Sequence, residues 1–130
     1  MKDQITGIII KEAIEVSKEF GRGLSPAAFS RLLEIRINKL GRFNVERSKV
    51  FRPNYLGETL GDIKVDLIVD GVAVSIVATD CENQLKLHEL RSKLLLVGLK
   101  KGLLIEINRR GPLKDYVSRV IIENREGGTL

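Results

Sequence analysis

Two runs of β-branched residues joined by a two-residue turn constrain the fold of this chain more than any other feature. The runs are Ile63–Val69 and Val72–Thr79, and Asp70-Gly71 lies between them. An Asp-Gly pair in this setting is typical of a tight hairpin, because both central residues of the turn take a positive φ. Alternation along the first strand predicts two faces, Ile63, Val65, Leu67 and Val69 on one and Lys64, Asp66 and Ile68 on the other.

Helical patterns lie on both sides of this hairpin. Apolar residues three or four positions apart predict a first helix that runs to about Phe20 and stops at Gly21. Ser25-Pro26 predicts the start of a second helix, since serine caps well and proline at the first helical position loses no needed donor. This helix should end at Gly41, and a third should span about 82–97.

The remaining segments predict further strands. Residues 43–56 contain Pro53 and read as an irregular edge strand, whereas Gly102–Ile107 is an apolar run typical of a buried strand. Val117–Ile122 predicts the last strand. A helix separates the hairpin from the next strand, so part of the sheet should be parallel. We predict a mixed α/β fold of the α+β type in one domain spanning 1–130, with a frayed tail from about 124 to 130.

Composition narrows the classes of function. The chain is 43% hydrophobic and 30% charged, which is typical of a globular domain. It has no apolar run of about 18 residues, so we expect no membrane partner. Its one cysteine, Cys81, allows no disulfide within the chain and suits a reducing cytoplasm. A net charge of +5 gives a mild preference for polyanions. Nucleic acid, another protein and a second copy of the chain all remain open as partners.

Taken in order, these segments resemble the GxxExxY family, a group of small bacterial and archaeal proteins of the PD-(D/E)XK nuclease superfamily. The resemblance spans about Ile5 to Ile122 and rests on the order and spacing of four pieces: Ala13–Val16, Gly21–Leu24, Asp66–Val69 and Gly98–Ile105. It implies a restriction-endonuclease-like core, with a central mixed β-sheet flanked by helices. It also implies descent from enzymes that cut nucleic acid with Mg²⁺.

The signature residues of the family are mostly replaced. The glycine of GxxExxY falls on Gly23, but its glutamate falls on Pro26 and its tyrosine on Phe29. The family's strand glutamate and lysine, two positions apart, fall on Ser75 and Val77. A shift of one residue places them on Ile76 and Ala78 instead.

The third helix differs in the same way. The family's glutamine and tyrosine fall on Glu89 and Lys93, and its histidine falls on Lys86 rather than on His88. Two carboxylates survive as remnants, Asp66 ahead of the hairpin and Glu15 in the first helix. Both also fit ordinary structural roles. Asp66 would be a strand carboxylate paired with a nearby Lys or Arg, and Glu15 would be a charge on the helix surface.

These replacements bear directly on catalysis. Mg²⁺ needs oxygen ligands and usually one or two carboxylates, and it activates the attacking water. Asp66 without the strand glutamate is half a site, and loss of the lysine removes a group worth roughly 10²–10⁴-fold in rate where it transfers a proton. We therefore expect no metal, no cofactor and no cleavage, and we predict a catalytically inactive nuclease-fold domain that binds nucleic acid or protein.

Two other functions stay open. Asp80 or Glu82 could rebuild a metal site with Asp66, with an amine from Lys86 or Lys93; the chain would then be a nuclease with a relocated site and Mg²⁺ as cofactor. Alternatively the chain could be a structural homodimer. The candidates for binding nucleic acid are Lys86, Lys93, Lys100, Lys101, Arg109 and Arg110, and Lys114 and Arg119 could extend them into a stripe.

Overall fold

Three α-helices form where the apolar periodicity predicts them. The computed structural model describes residues 4–78 and 83–123, and its helices are α1 (Gln4–Phe20), α2 (Pro26–Lys39) and α3 (Asn83–Val97). The predicted cap of α2 is confirmed, since the Ser25 hydroxyl accepts the N–H of Ala28 at 3.1 Å. No helix within the described ranges is both long and apolar enough to cross a membrane.

Five strands make one mixed sheet. They are β1 (Val45–Phe51), β4 (Ile63–Val69), β5 (Val72–Val77), β6 (Lys101–Glu106) and β7 (Val117–Ile121), in the order β1-β4-β5-β6-β7. Strands β5 and β6 are parallel and the other neighbours are antiparallel, which confirms the predicted mixed sheet. The segment between β1 and β4 forms a small ribbon of β2 (Asn54–Tyr55) and β3 (Glu58–Thr59), and a short 3₁₀ helix (Leu113–Tyr116) precedes β7.

The hairpin has the predicted turn. Asp70 has φ 46° and Gly71 has φ 85°, so both central residues have the positive φ that the turn requires. The Asp70 side chain also accepts the N–H of Asn44 at 2.8 Å, which ties the turn to the chain entering β1. Three segments lie outside the described residues. They are residues 1–3, residues 79–82 with Asp80, Cys81 and Glu82, and the tail at 124–130 that the sequence predicts to be frayed.

Helices cover both faces of the sheet. On one face α1 and α2 bury a cluster that includes Phe29, Leu33 and Leu103. On the other face α3 packs through Leu90 and Leu94 onto a smaller cluster that includes Ala73 and Leu104. The approach of α3 to β6 is close, because a Cβ added at Gly102 would lie 3.1 Å from Leu94 Cδ1.

The predicted faces of β4 are wrong in its first half. Leu67 and Val69 pack on the α1/α2 side, as one face should, but Val65 packs on the α3 side together with Ile68. Lys64 and Asp66 instead face α2. The physical reason is that β4 separates from β5 beyond the pair Leu67↔Val74, so the regular alternation of the pleat is lost at Asp66.

Strand β1 is the predicted edge strand of the sheet. It carries Glu46, Arg47 and Lys49, and Ser48 has the unusual φ of 57°. Charged side chains and a local irregularity on an edge strand oppose pairing with a second sheet. The outer edge of β1 is thus suited to contacts through side chains rather than through its backbone.

Candidate nucleic-acid interface

A pocket of about 220 Å³ opens beside the point where β4 separates from β5. It lies between the first turn of α2, the middle of β1 and the middle of β4. We call it the Asp66 pocket, and its walls are formed by Pro26, Ala27, Ser30, Arg47, Ser48, Lys64 and Asp66.

Asp66 has a structural bond inside this pocket. Its Oδ2 atom accepts the backbone N–H of Ile76 at 3.1 Å. The backbone ladder between β4 and β5 ends at Leu67↔Val74, so this carboxylate oxygen replaces the missing strand carbonyl. Asp66 is half-buried and, among the described residues, is the one acidic side chain in the pocket wall.

Two cationic side chains stand against this single carboxylate. The guanidinium of Arg47 is held by Glu34, with 3.2 Å between Nε and Oε1, and Glu34 also pairs with Arg31. Lys64 is exposed, and its backbone carbonyl accepts a hydrogen bond from the amine of Lys93 at 2.9 Å. Among the described residues of the wall, Arg47 and Lys64 outnumber Asp66, and Glu34 next to the wall offsets part of the charge of Arg47.

Polar groups complete the wall. Ser30 is 4% exposed, and its hydroxyl has no hydrogen-bond partner within the described part of the chain. Such buried polar groups normally have a partner, so an unpartnered hydroxyl in a pocket wall favours a polar occupant. Ser48 has its strained φ of 57° in the same wall. The first turn of α2 adds the positive end of a helix dipole.

The described walls of the Asp66 pocket offer few ligands to a divalent metal. Within residues 4–78 and 83–123, no three histidine, cysteine, aspartate or glutamate side chains lie close enough to hold a metal ion together. One oxygen of Asp66 already accepts a backbone hydrogen bond. The described residues therefore supply one carboxylate where Mg²⁺ chemistry needs a fuller set of oxygen ligands.

Comparison with known proteins gives the family. A model of the PD-(D/E)XK nuclease superfamily matches residues 3–120. The chain belongs to the PD-(D/E)XK nuclease superfamily. Its five-stranded mixed sheet between helices agrees with the restriction-endonuclease-like fold predicted from the sequence.

Other comparisons add little to this membership. No curated protein matches the chain. The crystal structure of SSO0001 is 16% identical, with a TM-score of 0.43, and the match covers 94% of this chain and 79% of that one. This similarity is too low to support any statement about function.

The predicted PD-(D/E)XK positions fall in two environments. Pro26 lines the Asp66 pocket, but Phe29, one turn later, is 1% exposed and belongs to the core. On β5, Ile76 lies beside Asp66 and packs on the α1/α2 side. Val77 packs on the α3 side, and the alternation along β5 puts Ser75 on that side too. Of the positions aligned with the family's strand glutamate, Ile76 is the one that bonds Asp66, through its backbone N–H.

The predicted first-helix remnant does not join Asp66. Glu15 lies near Lys18, with 3.9 Å between the charged atoms, and it is not in the wall of the Asp66 pocket. The buried glutamate of α1 is Glu12, which is 8% exposed and bonds Arg36 at 2.8 Å. Glu12 was not singled out from the sequence.

The predicted positions on α3 lie on the opposite face of the sheet from the Asp66 pocket. Lys86 and Glu89 pair with each other at 3.4 Å, and Lys93 reaches across to the carbonyl of Lys64. His88 lines a separate groove on the outer side of α3. None of these α3 side chains lines the Asp66 pocket.

The basic residues around β6 do not form one stripe. Lys100 and Lys101 are at the start of β6, and Arg109 and Arg110 follow its other end. Arg109 is occupied, since it bonds Glu106 at 3.1 Å and stacks on Tyr116. Arg119 and Lys114 lie in different pockets. Arg119 lines one pocket together with Lys101, and Lys114 lines another together with Lys18.

Sequence reasoning missed five residues of the Asp66 pocket, namely Ala27, Ser30, Arg47, Ser48 and Lys64. The available signal for Arg47 and Lys64 was their position on strands around a retained superfamily aspartate. Ser30 follows Pro26 by one helical turn, so it lies on the same side of α2. Nothing in the sequence pattern indicates the positive φ of Ser48.

Proposed function

We propose that this chain is a catalytically inactive nuclease-fold domain that binds nucleic acid through the Asp66 pocket. The observation that carries the proposal is the balance of charge in that pocket. Among the described residues of its wall, one carboxylate, already bonded to a backbone N–H, stands with Arg47 and Lys64. A nuclease site that holds Mg²⁺ would need the opposite balance, with carboxylates in excess.

A phosphate group is the part of nucleic acid that this pocket suits. Arginine and lysine supply the charge-assisted contacts that dominate the affinity for nucleic acid. The unpartnered hydroxyl of Ser30 can donate to a phosphate oxygen, and the positive end of α2 favours an anion at the same place. The negative charge of Asp66 opposes the phosphate, so we propose a modest affinity that depends on salt.

The proposal of inactivity rests on the residues beside Asp66. The family's glutamates fall on Pro26 and on Ser75, or on Ile76 if the register shifts by one residue, and none of the three carries a carboxylate. We infer from the same residues that the chain is a divergent member of the GxxExxY family. A cytoplasmic location, where nucleic acid is available, is part of this proposal.

One contact favours a second candidate. The amine of Lys93 lies 2.9 Å from the carbonyl of Lys64, two residues before Asp66. An amine near this part of β4 is one component of a nuclease with a relocated site, and such an enzyme would take Mg²⁺ as its cofactor. The two candidates differ in their response to divalent metal, which a single experiment can separate.

The test measures binding and cleavage together. Labelled duplex DNA, single-stranded DNA and single-stranded RNA are titrated with the protein at several salt concentrations, with EDTA, Mg²⁺ or Mn²⁺ present. We expect binding in EDTA with a log K that falls linearly with log salt, and intact substrate in every sample. Arg47→Ala and Lys64→Ala should each weaken binding several-fold and reduce the salt slope by about 1.

A matched control removes two positive charges elsewhere. Lys11 and Lys39 are exposed, and Lys39 is at the opposite end of α2, about 20 Å from Pro26 at 1.5 Å per residue. The double variant Lys11→Ala/Lys39→Ala should bind like the wild type. If Lys11→Ala/Lys39→Ala and Arg47→Ala/Lys64→Ala weakened binding equally, only the net charge of the protein would matter. Cleavage that requires metal and disappears in Asp66→Asn would establish the second candidate.

A further inference from the structure

Helix α3 carries exposed leucines among the polar residues of its outer side as well as buried leucines on its inner side. Leu90 and Leu94 are 3% and 0% exposed beneath it, but Leu85 and Leu95 remain 56% and 54% exposed and Leu96 44%. A helix on the surface of a monomeric domain normally shows a polar outer face, so three exposed leucines on a helix of 15 residues are unusual. The described part of the chain leaves these leucines about half exposed.

Two of these leucines, Leu85 and Leu96, line a shallow groove of about 410 Å³. Along α3 the groove is lined by residues three or four positions apart, which places them on one side of the helix. We call this set the α3 stripe: Leu85, His88, Glu89, Ser92, Lys93 and Leu96. Ile63, the first residue of β4, forms the other wall.

The side chains of the α3 stripe are complementary to those of a second copy when the two α3 helices run antiparallel. A two-fold axis crossing α3 between Leu90 and Arg91 sets Leu85 against the partner's Leu96. The same axis brings the small side chain of Ser92 to the middle of the contact, where the two helices need to approach closely. A two-fold interface requires this kind of match, because the same patch serves both copies.

Charge favours the antiparallel arrangement over a parallel one. In the antiparallel pair, Glu89 would lie diagonally beside the partner's Lys93, and the contact would occur twice. Within one chain Glu89 pairs with Lys86 and the Lys93 amine bonds the carbonyl of Lys64, so the contact with the partner adds to these bonds or replaces them. In a parallel pair, Glu89 would face the partner's Glu89, and like charges in direct opposition are unfavourable. From the exposed leucines and this charge pattern we infer that α3 is the interface of a two-fold homodimer of this chain.

The surface next to the α3 stripe extends the same interface. Stable interfaces bury about 800 Å² on each partner, which is more than one face of a short helix provides. The β2–β3 ribbon leads directly into Ile63 and carries three more exposed apolar side chains, Tyr55 at 64%, Leu56 at 85% and Leu60 at 46%. In the dimer that we infer, these residues would add apolar area near Ile63, where β4 begins.

The first test measures the oligomeric state of the full chain. Light scattering after gel filtration and sedimentation velocity, over a wide range of concentration, should show a reversible monomer–dimer equilibrium. The variant Leu85→Glu/Leu96→Glu should be monomeric throughout and should keep its far-UV circular dichroism and its cooperative unfolding, because both side chains are exposed. The control Leu40→Glu alters another exposed leucine, 39% exposed and next to the end of α2, and should dimerise normally.

The second test addresses the antiparallel orientation. Glu89→Lys and Lys93→Glu should each weaken the dimer roughly tenfold, and Glu89→Lys/Lys93→Glu together should restore much of the loss, since the swapped charges pair again. A wild-type protein that stays monomeric at every concentration overturns the inference. So does a dimer that survives Leu85→Glu/Leu96→Glu. Nucleic-acid binding by that double variant should persist, so this inference can fail without the proposed function failing.

Discussion

The Asp66 carboxylate accepts the backbone N–H of Ile76 at 3.1 Å, and this bond joins β4 to β5 beyond the end of their backbone ladder. Past Leu67↔Val74 the two strands separate, and the side chain of Asp66 spans the space between them. The aspartate of a PD-(D/E)XK protein thus has a structural role here that requires no metal. A retained Asp66 is consequently no argument for retained cleavage.

Removing this acceptor should destabilise the fold. Asp66→Ala leaves the N–H of Ile76 without its partner in a mostly buried setting, and the expected cost is about 1–3 kcal/mol in the free energy of unfolding. Asp66→Asn keeps an oxygen that can accept the bond, so it should cost less than half as much. Urea denaturation of the three proteins measures the difference. Equal losses for alanine and asparagine would show that the charge, rather than the bond, stabilises β4 and β5.

A second aspartate on the chain provides the control for this comparison. Asp62 bonds Arg52 at 2.8 Å, but its side chain is 60% exposed and that of Arg52 is 72% exposed. Exposed ion pairs contribute about 0–1 kcal/mol. Asp62→Ala should therefore change the free energy of unfolding by much less than Asp66→Ala does.

The same substitution separates the two candidate functions by its effect on binding. In the proposed binding module, Asp66→Asn removes a negative charge from a pocket that accepts phosphate, so the affinity for duplex DNA in EDTA should rise several-fold. In a metal-dependent nuclease, the substitution removes a ligand and abolishes cleavage. Fluorescence anisotropy with and without Mg²⁺ distinguishes these outcomes. Unchanged affinity would indicate that nucleic acid binds outside the Asp66 pocket.

Much of the fold was predictable because it follows from local patterns. The Asp70-Gly71 turn fixes the pairing of β4 with β5 near the hairpin, and both residues have the expected positive φ. The helix between β5 and β6 requires a crossover, and those two strands are parallel. Turn chemistry and apolar spacing depend on neighbours in sequence, so they can be read without tertiary contacts.

The candidate site was less predictable because it depends on a departure from those patterns. Alternation along β4 predicts one face for Val65 and Leu67, but the strands separate at Asp66 and the two residues pack on opposite sides of the sheet. The pocket at that point combines Ser30 from α2 with Arg47 from β1. Such a combination arises from packing between distant segments, and no spacing within one segment specifies it.

The buried pair between α1 and α2 gives a third prediction. Glu12 is 8% exposed and bonds Arg36, whose side chain is 38% exposed. Arg36→Ala leaves a mostly buried carboxylate without its main cation, so we expect a loss of about 1–3 kcal/mol in the free energy of unfolding. Arg31→Ala breaks a pair with Glu34, whose other partner Arg47 remains, and should cost less. Thermal unfolding at neutral pH can rank the two variants, and the reverse order would contradict the assigned burial of Glu12.

Two glycine-to-alanine substitutions should shift the free energy of unfolding in opposite directions. At Gly102 an added Cβ would lie 3.1 Å from Leu94 Cδ1 and 3.3 Å from the backbone oxygen of Ala73. The backbone oxygen is held in the β5–β6 ladder and cannot yield easily, so α3 must move outward; the expected loss is about 1–3 kcal/mol, as for overpacking elsewhere.

Gly7 is the matched case, since it lies within α1 and a Cβ there would have no neighbour within 4 Å. Gly7→Ala should stabilise the protein by about 0.4–1 kcal/mol, because alanine restricts the unfolded chain and favours the helix. Chemical denaturation of both variants and of the wild type shows whether each substitution lowers or raises the free energy of unfolding. The monomer–dimer equilibrium is a second measurement. An outward shift of α3 in Gly102→Ala should weaken dimerisation, whereas Gly7→Ala should leave it unchanged. If Gly102→Ala proved as stable as the wild type, the close packing of α3 on β6, and with it the position of the α3 stripe, would be wrong.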